Sequence, residues 1–122
     1  MGLDNYASRS PGDIELTEED EKAFEQAAVE LCGGMMSGGD GSFRGKVYLD
    51  VVDRVAGVSL GAEWIPPETM REIAAAFERC DLAGVVEESK GDPYPVTEAE
   101  VGQLAKFFRI CAERGLGLIG WS

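Results

Sequence analysis

Residues 40–46 read Asp-Gly-Ser-Phe-Arg-Gly-Lys. This is the tail of the GxxxxGK[ST] loop, whose backbone N–H groups cradle phosphates while the lysine meets their outer charge. Asp40 stands where the first glycine belongs, and Val47 stands where a hydroxyl would hold magnesium. Nucleotide binding is therefore not supported. A weaker property survives: Arg44 and Lys46 flank the start of a helix, where free N–H groups and the helix dipole favour an anion.

The chain has no histidine. That excludes Ser-His-Asp and Cys-His catalysis, histidine-ligated zinc and the usual near-neutral general base. Cys32, Cys80 and Cys111 are separated by 48 and 31 residues, a spacing that matches no compact metal motif. They read as small buried hydrophobes near helix C-termini, where the dipole raises a thiol pKa. Asp50, Asp53 and Arg54 share a polar helix edge, and Asp50 lies four residues from Lys46 as an ordinary surface pair. No catalytic residue, metal ligand or cofactor is assigned. Trp64, Tyr94 and Trp121 are the amphipathic aromatics; placed beside prolines or near a chain end, such groups build pockets and interfaces. Arg44, Lys46, Trp64 and Tyr94 are the ligand-binding candidates.

The charge decides which partners are excluded. Lys and Arg number 11 against 23 Asp and Glu, a formal net charge of −12. Nucleic acid and anionic membranes need clustered cations, and this chain is the opposite. Solubility is the plainest account of the acidity. A high-salt cytoplasm and an acidic nucleic-acid mimic are the other two. No stretch approaches a membrane span, and Met1–Pro11 has no apolar core of a signal peptide. Together with three unpaired cysteines, this reads as a cytoplasmic protein.

The elements follow from periodicity and punctuation. Residues 1–16 form an irregular arm in which Leu3–Ala7 suits a short strand. Thr17 and Asp20 make a capping box that opens the first helix, with Ala23, Phe24, Ala27, Ala28 and Leu31 as its stripe. Gly33–Ser42 is glycine-rich and reads as a mobile loop. The second helix, Lys46–Val58, carries apolar residues around more than half its circumference, with Val55 in the middle of the arc. Trp64-Ile65-Pro66-Pro67 is extended and starts a third helix, which ends near Asp81 or Leu82. Val85–Val96 reads as a loop. Thr97 and Glu100 form a second capping box for the fourth helix, which Gly115 ends. Leu116–Trp121 alternates as a short strand that is apolar on both faces.

These elements predict one domain over residues 1–122. It is mainly α: a compact four-helix domain with a short C-terminal strand, with or without a small β element shared with the N-terminal segment. Helices two and four are expected to be central. The expected function is a non-enzymatic binding or regulatory module acting by protein–protein contact or self-association. The strand needs backbone partners, and helix four carries surplus apolar surface. Phe107, Ile110, Leu118, Ile119 and Trp121 are therefore the interface candidates, with a homodimer as the simplest assembly. The alternatives are a small enzyme or ligand-binding protein with an anion-accepting pocket near Arg44, and the nucleic-acid mimic.

Overall fold

The computed structural model describes residues 3–12, 15–27, 31 and 42–121, with the side chain of residue 121 excepted. Among these residues the chain forms five helices and one four-stranded antiparallel sheet. In chain order they are β1 (Asp4–Ser8), α1 (Glu18–Gln26), β2 (Ser42–Phe43), α2 (Gly45–Ala56), β3 (Trp64–Ile65), α3 (Pro67–Arg79), α4 (Leu82–Ser89), α5 (Glu98–Arg114) and β4 (Gly117–Trp121).

Both capping boxes form: the hydroxyl oxygens of Thr17 and Thr97 accept from the N–H groups of Asp20 and Glu100. Gly57 and Gly115 end α2 and α5 in left-handed conformations, at φ 69° and 68°, which suits a residue without a Cβ. Pro67 sits in the first turn of α3, where its missing N–H costs nothing.

The largest departure from expectation is the sheet. Its order is β2-β1-β4-β3, so β4 is paired on both sides within the chain. Ala7 faces Leu118 and Ile65 in one row, while Tyr6 faces Ile119 and Trp64 in the next. Paired residues in an antiparallel sheet share a face, so these rows lie on opposite faces. Ala7, Leu118 and Ile65 join the helices in one apolar core, whereas Tyr6, Ile119 and Trp64 add nothing to it. The short strands β2 and β3 escape a periodicity test, because two residues carry no period.

The fifth helix is α4, where a loop over Val85–Val96 is expected. Its length of eight residues and a glycine at position 84 hide it in the sequence, since glycine weakens a helix interior. The expected core also shifts. The main helix contact joins α3 to α5, with α2 packed on α3 and α4, so α3 rather than α2 is the partner of α5. Within α2, Tyr48, Val51 and Val52 are buried, and Val55 is only half-buried. All five phenylalanines meet in the core: Phe24, Phe43 and Phe108 contact Phe107, and Phe77 contacts Phe108, with ring centroids 4.9–6.0 Å apart. Such ring pairs add directional preference to the area they bury.

Among the described residues, no helix is long and apolar enough to cross a membrane.

Candidate functional site

The start of α2 does not offer the anion site that Arg44 and Lys46 suggest. The N–H of Lys46 donates to the carbonyl of Leu3 at 3.2 Å. A Cβ at Gly45 would lie 1.7 Å from Oδ1 of Asn5, so β1 is pressed against this helix end and two oxygens occupy it. The Lys46 ammonium sits over the Tyr94 ring, 5.8 Å from its centroid. Two of the four ligand-binding candidates therefore meet, but on each other. Tyr94 is 41% exposed, and Arg44 is half-buried and lines neither of the clefts described below. Ser42, expected in the loop, is a buried strand residue opposite Tyr6. The rest of that loop, residues 33–41, lies outside the described residues, as does Cys32.

The interface candidates lie mostly inside the chain's own fold. Phe107 and Leu118 are fully buried, Ile119 is 2% exposed, and Ile110 is half-buried against the core. Trp121 pairs through its backbone with Asp4. Of the surplus apolar surface argued from the sequence, Phe107, Leu118 and Ile119 are buried within the chain.

A cleft of about 440 Å³ lies between α2, α3 and α4, lined by Arg54, Val55, Ala76, Arg79, Cys80, Asp81, Gly84, Val85 and Glu88. Its charges are mixed. Both terminal nitrogens of Arg54 donate to Asp92, at 2.9 and 3.1 Å, and Glu88 lies 3.9 Å away. The Cys80 thiol donates to the Phe77 carbonyl at 3.1 Å. Burial, with Asp81 adding, pushes its pKa up, so it stays a thiol rather than a nucleophilic thiolate. Cys111 is fully buried, and burial raises its thiol far above the ordinary range. Both are free cysteines. Among the described residues, no group of His, Cys, Asp and Glu could hold a metal ion.

Trp64 belongs to a different cleft, of about 370 Å³, lined by Pro11, Gly12, Gly61, Glu63, Trp64, Ile119 and Gly120. Each wall has a local cause. Pro66 holds Ile65 extended, Trp64 before it pairs with Ile119, and its ring lies against Gly117: a Cβ there would come within 2.5 Å of the indole. The wall at residues 60–63 is drawn onto β4 because Gly120 lacks a Cβ, which would lie 2.4 Å from the Ala62 carbonyl and 2.8 Å from that of Leu60. The Gly120 N–H donates to the Glu63 carbonyl at 3.2 Å. The buried Asn5 amide donates to Leu60 at 3.0 Å and to Ile119 at 3.4 Å.

The opposite wall is the turn after β1. The Ser8 hydroxyl, fully buried, donates to the Ser10 carbonyl at 2.9 Å and accepts from the N–H of Glu15 at 2.9 Å. The Arg9 N–H closes the same loop on the Glu15 carbonyl at 3.0 Å. Gly12, at φ 93°, supplies the backbone shape that Pro11 cannot. Arg9 then ties this loop to α1. Its Nε and Nη2 donate to the Asp20 carboxylate at 3.0 and 2.7 Å, and Nε of Arg114 donates to the same group at 2.6 Å.

The cleft is thus held by hydrogen bonds and close backbone contacts at both walls. Its chemistry is an indole, an isoleucine floor, glycine and proline backbone, and one carboxylate at Glu63. Glu63 makes no ion pair among the described residues. Of the residues lining this cleft, sequence reading singles out Trp64 as a ligand-binding candidate and Ile119 as an interface candidate. Pro11, Gly12, Gly61, Glu63 and Gly120 reach it only through the β1–β4 and β3–β4 pairings. The one local signal was the Ser-Pro-Gly turn chemistry at residues 10–12.

The chain matches no protein-family model, no curated protein and no solved structure, so its site is read from its own geometry.

Proposed function

We propose that this protein is a non-enzymatic binding module that takes a protein partner at the Trp64 cleft. The observation that carries the reading is the position of Trp64. It is half-buried, stands in a sheet row outside the helical core, and walls a cleft whose backbone is fixed on both sides. Amphipathic aromatics in preformed pockets are the usual anchors of protein interfaces, because they bury large area with little loss of side-chain freedom. The chemistry supports binding over turnover. The two described thiols have raised pKa values, the chain has no histidine, and among the described residues that line the cleft Glu63 alone is ionisable.

Self-association loses the ground that suggested it, since β4 is paired on both sides and Phe107 and Leu118 are buried. The partner is therefore read as a different protein.

The test is a photo-crosslinking amino acid at Gly61, an exposed position in the cleft wall, with the exposed Glu72 of α3 as control. In the cells that make the protein, a discrete adduct is expected from position 61 and not from position 72. Equal labelling from both positions, or none from position 61, overturns the assignment.

A further inference from the structure

Trp64 and Glu63 both line the proposed binding cleft, Glu63 makes no ion pair among the described residues, and both side chains select the same chemistry. Indole attracts a cation over its ring. Arginine suits such a wall better than lysine, because its planar guanidinium stacks on aromatic faces while its edge donates several hydrogen bonds. Glu63, an exposed acidic residue next to Trp64 in sequence, lines the same cleft, as do Gly61, Gly120 and Pro11. Among the described residues that line the cleft there is no Lys or Arg to compete for Glu63. The rest of the molecule favours the same sign: the net charge is −12, and Glu18, Glu19, Glu21 and Glu25 are exposed on α1, the helix that Asp20 ties to the Arg9 loop. A field of that sign draws in basic partners and speeds their encounter.

We propose that the Trp64 cleft receives an arginine side chain of a basic protein partner, its guanidinium stacked on the indole and paired with Glu63. This rests on the partner-binding reading above and specifies what enters the cleft.

The experiment is an NMR titration of the ¹⁵N-labelled full chain with capped tripeptides Gly-X-Gly, where X is arginine, lysine or citrulline, and with argininamide. The Trp64 indole resonance is assigned from Trp64→Phe. The arginine peptide is expected to shift the Trp64 indole and the Gly61, Glu63 and Gly120 amides. Citrulline, isosteric but neutral, should bind about tenfold more weakly, the loss that corresponds to one charge-assisted contact. Glu63→Gln should weaken the arginine peptide by a similar factor and leave citrulline unchanged, and high salt should narrow the gap.

Equal binding of arginine and citrulline overturns the cation assignment while leaving the cleft as a binding site. Tighter binding of lysine overturns the choice of arginine. Argininamide binding as tightly as the peptide overturns a protein source. Shifts confined to α1 amides mean diffuse charge attraction and overturn the proposal. An absence of cleft shifts alongside adducts at position 61 overturns it but not the partner reading.

Discussion

Trp64 and Gly117 lie on adjacent strands with the indole where a side chain at residue 117 would stand. A Cβ on Gly117 would be 2.5 Å from the ring and 2.5 Å from the carbonyl of Ile65. The tryptophan's place is therefore set by an absence in β4: a side chain at position 117 would collide with the ring that walls the cleft.

Gly117→Ala should lift the indole off β4. The added methyl meets backbone as well as ring, and a backbone carbonyl cannot move aside as a flexible side chain would. The expected cost is about 2 kcal/mol in urea unfolding, with a shift in Trp64 emission, as for overpacking of a tight site. Unchanged stability and emission would show that the ring does not rest there.

Gly45→Ala should be costlier, roughly 3 kcal/mol or more, because its Cβ would fall 1.7 Å from the Asn5 Oδ1. Asn5→Ala removes that obstacle at the cost of its bonds to Leu60 and Ile119. In the double variant the two losses should therefore be less than additive. Strict additivity would place the conflict elsewhere.

Val52→Asp should unfold the domain, whereas Val55→Asp should cost only about 1 kcal/mol. Val52 is fully buried, and a carboxylate there has no partner, a loss of several kcal/mol against a small domain's whole stability. Val55 is half-buried beside Arg54 at the open cleft. Thermal melts by circular dichroism separate the two; equal melting temperatures would contradict the packing of α2.

The contrast between Val52 and Val55 shows what the sequence carries. Periodicity places α2 and its apolar arc, but the centre of that arc is chosen by the neighbours, which cover Tyr48, Val51 and Val52 and leave Val55 half-buried at the cleft. Capping chemistry is local, so Thr17, Thr97 and Gly115 were legible to the residue. The small sheet element with the N-terminal segment was legible as an option for β1 and β4. Strands β2 and β3 were not, since their pairing comes from residues dozens of positions away. The candidate site shares that limit: Trp64 was visible as an aromatic beside two prolines, but its cleft is assembled from three separate segments. Of the two partners open to Leu116–Trp121 in the sequence, the N-terminal segment within the chain or a second copy, β1 takes the first role.

Cys111 should resist alkylation in the native protein and react only on unfolding, because it is fully buried and burial raises its thiol pKa. Cys80 should react slowly at neutral pH, its pKa raised by burial and by Asp81. Peptide mapping after a timed iodoacetamide pulse measures both. Fast labelling of Cys80 would mean a thiolate in the α2–α3–α4 cleft and a redox or catalytic use for it.

Acid should release the wall of the Trp64 cleft through Asp20. The carboxylate is fully buried, which by itself would raise its pKa. Hydrogen bonds from the Thr17 backbone, Arg114, Arg9 and the Thr17 hydroxyl outweigh this and bring it down from 3.8 to about 2. A depressed folded pKa stabilises the fold at pH above the unfolded value, and that contribution disappears as pH falls through the folded value. The window is thus pH 3.8 down to about 2, and the contribution is on the order of 2 kcal/mol. Asp20→Asn removes the titration. It also leaves two guanidiniums without their anion at the junction of the β1–α1 loop, α1 and the end of α5, so the variant should be less stable at neutral pH by roughly 3 kcal/mol. Glu78 and Asp92 also have lowered pKa values, through Arg109 and Arg54. They give both proteins an acid dependence of the same sign, so the quantity to read is the difference between the two. Urea midpoints across the acid range should show wild type and Asp20→Asn converging as pH falls toward 2. Parallel curves with a constant gap would mean that Asp20 holds the Arg9 loop by geometry alone, without its charge. The Arg9 and Glu15 amides, which close this loop on the Glu15 carbonyl and the Ser8 hydroxyl, should lose exchange protection over the same pH range, because the Arg9 side chain is what ties the loop to α1.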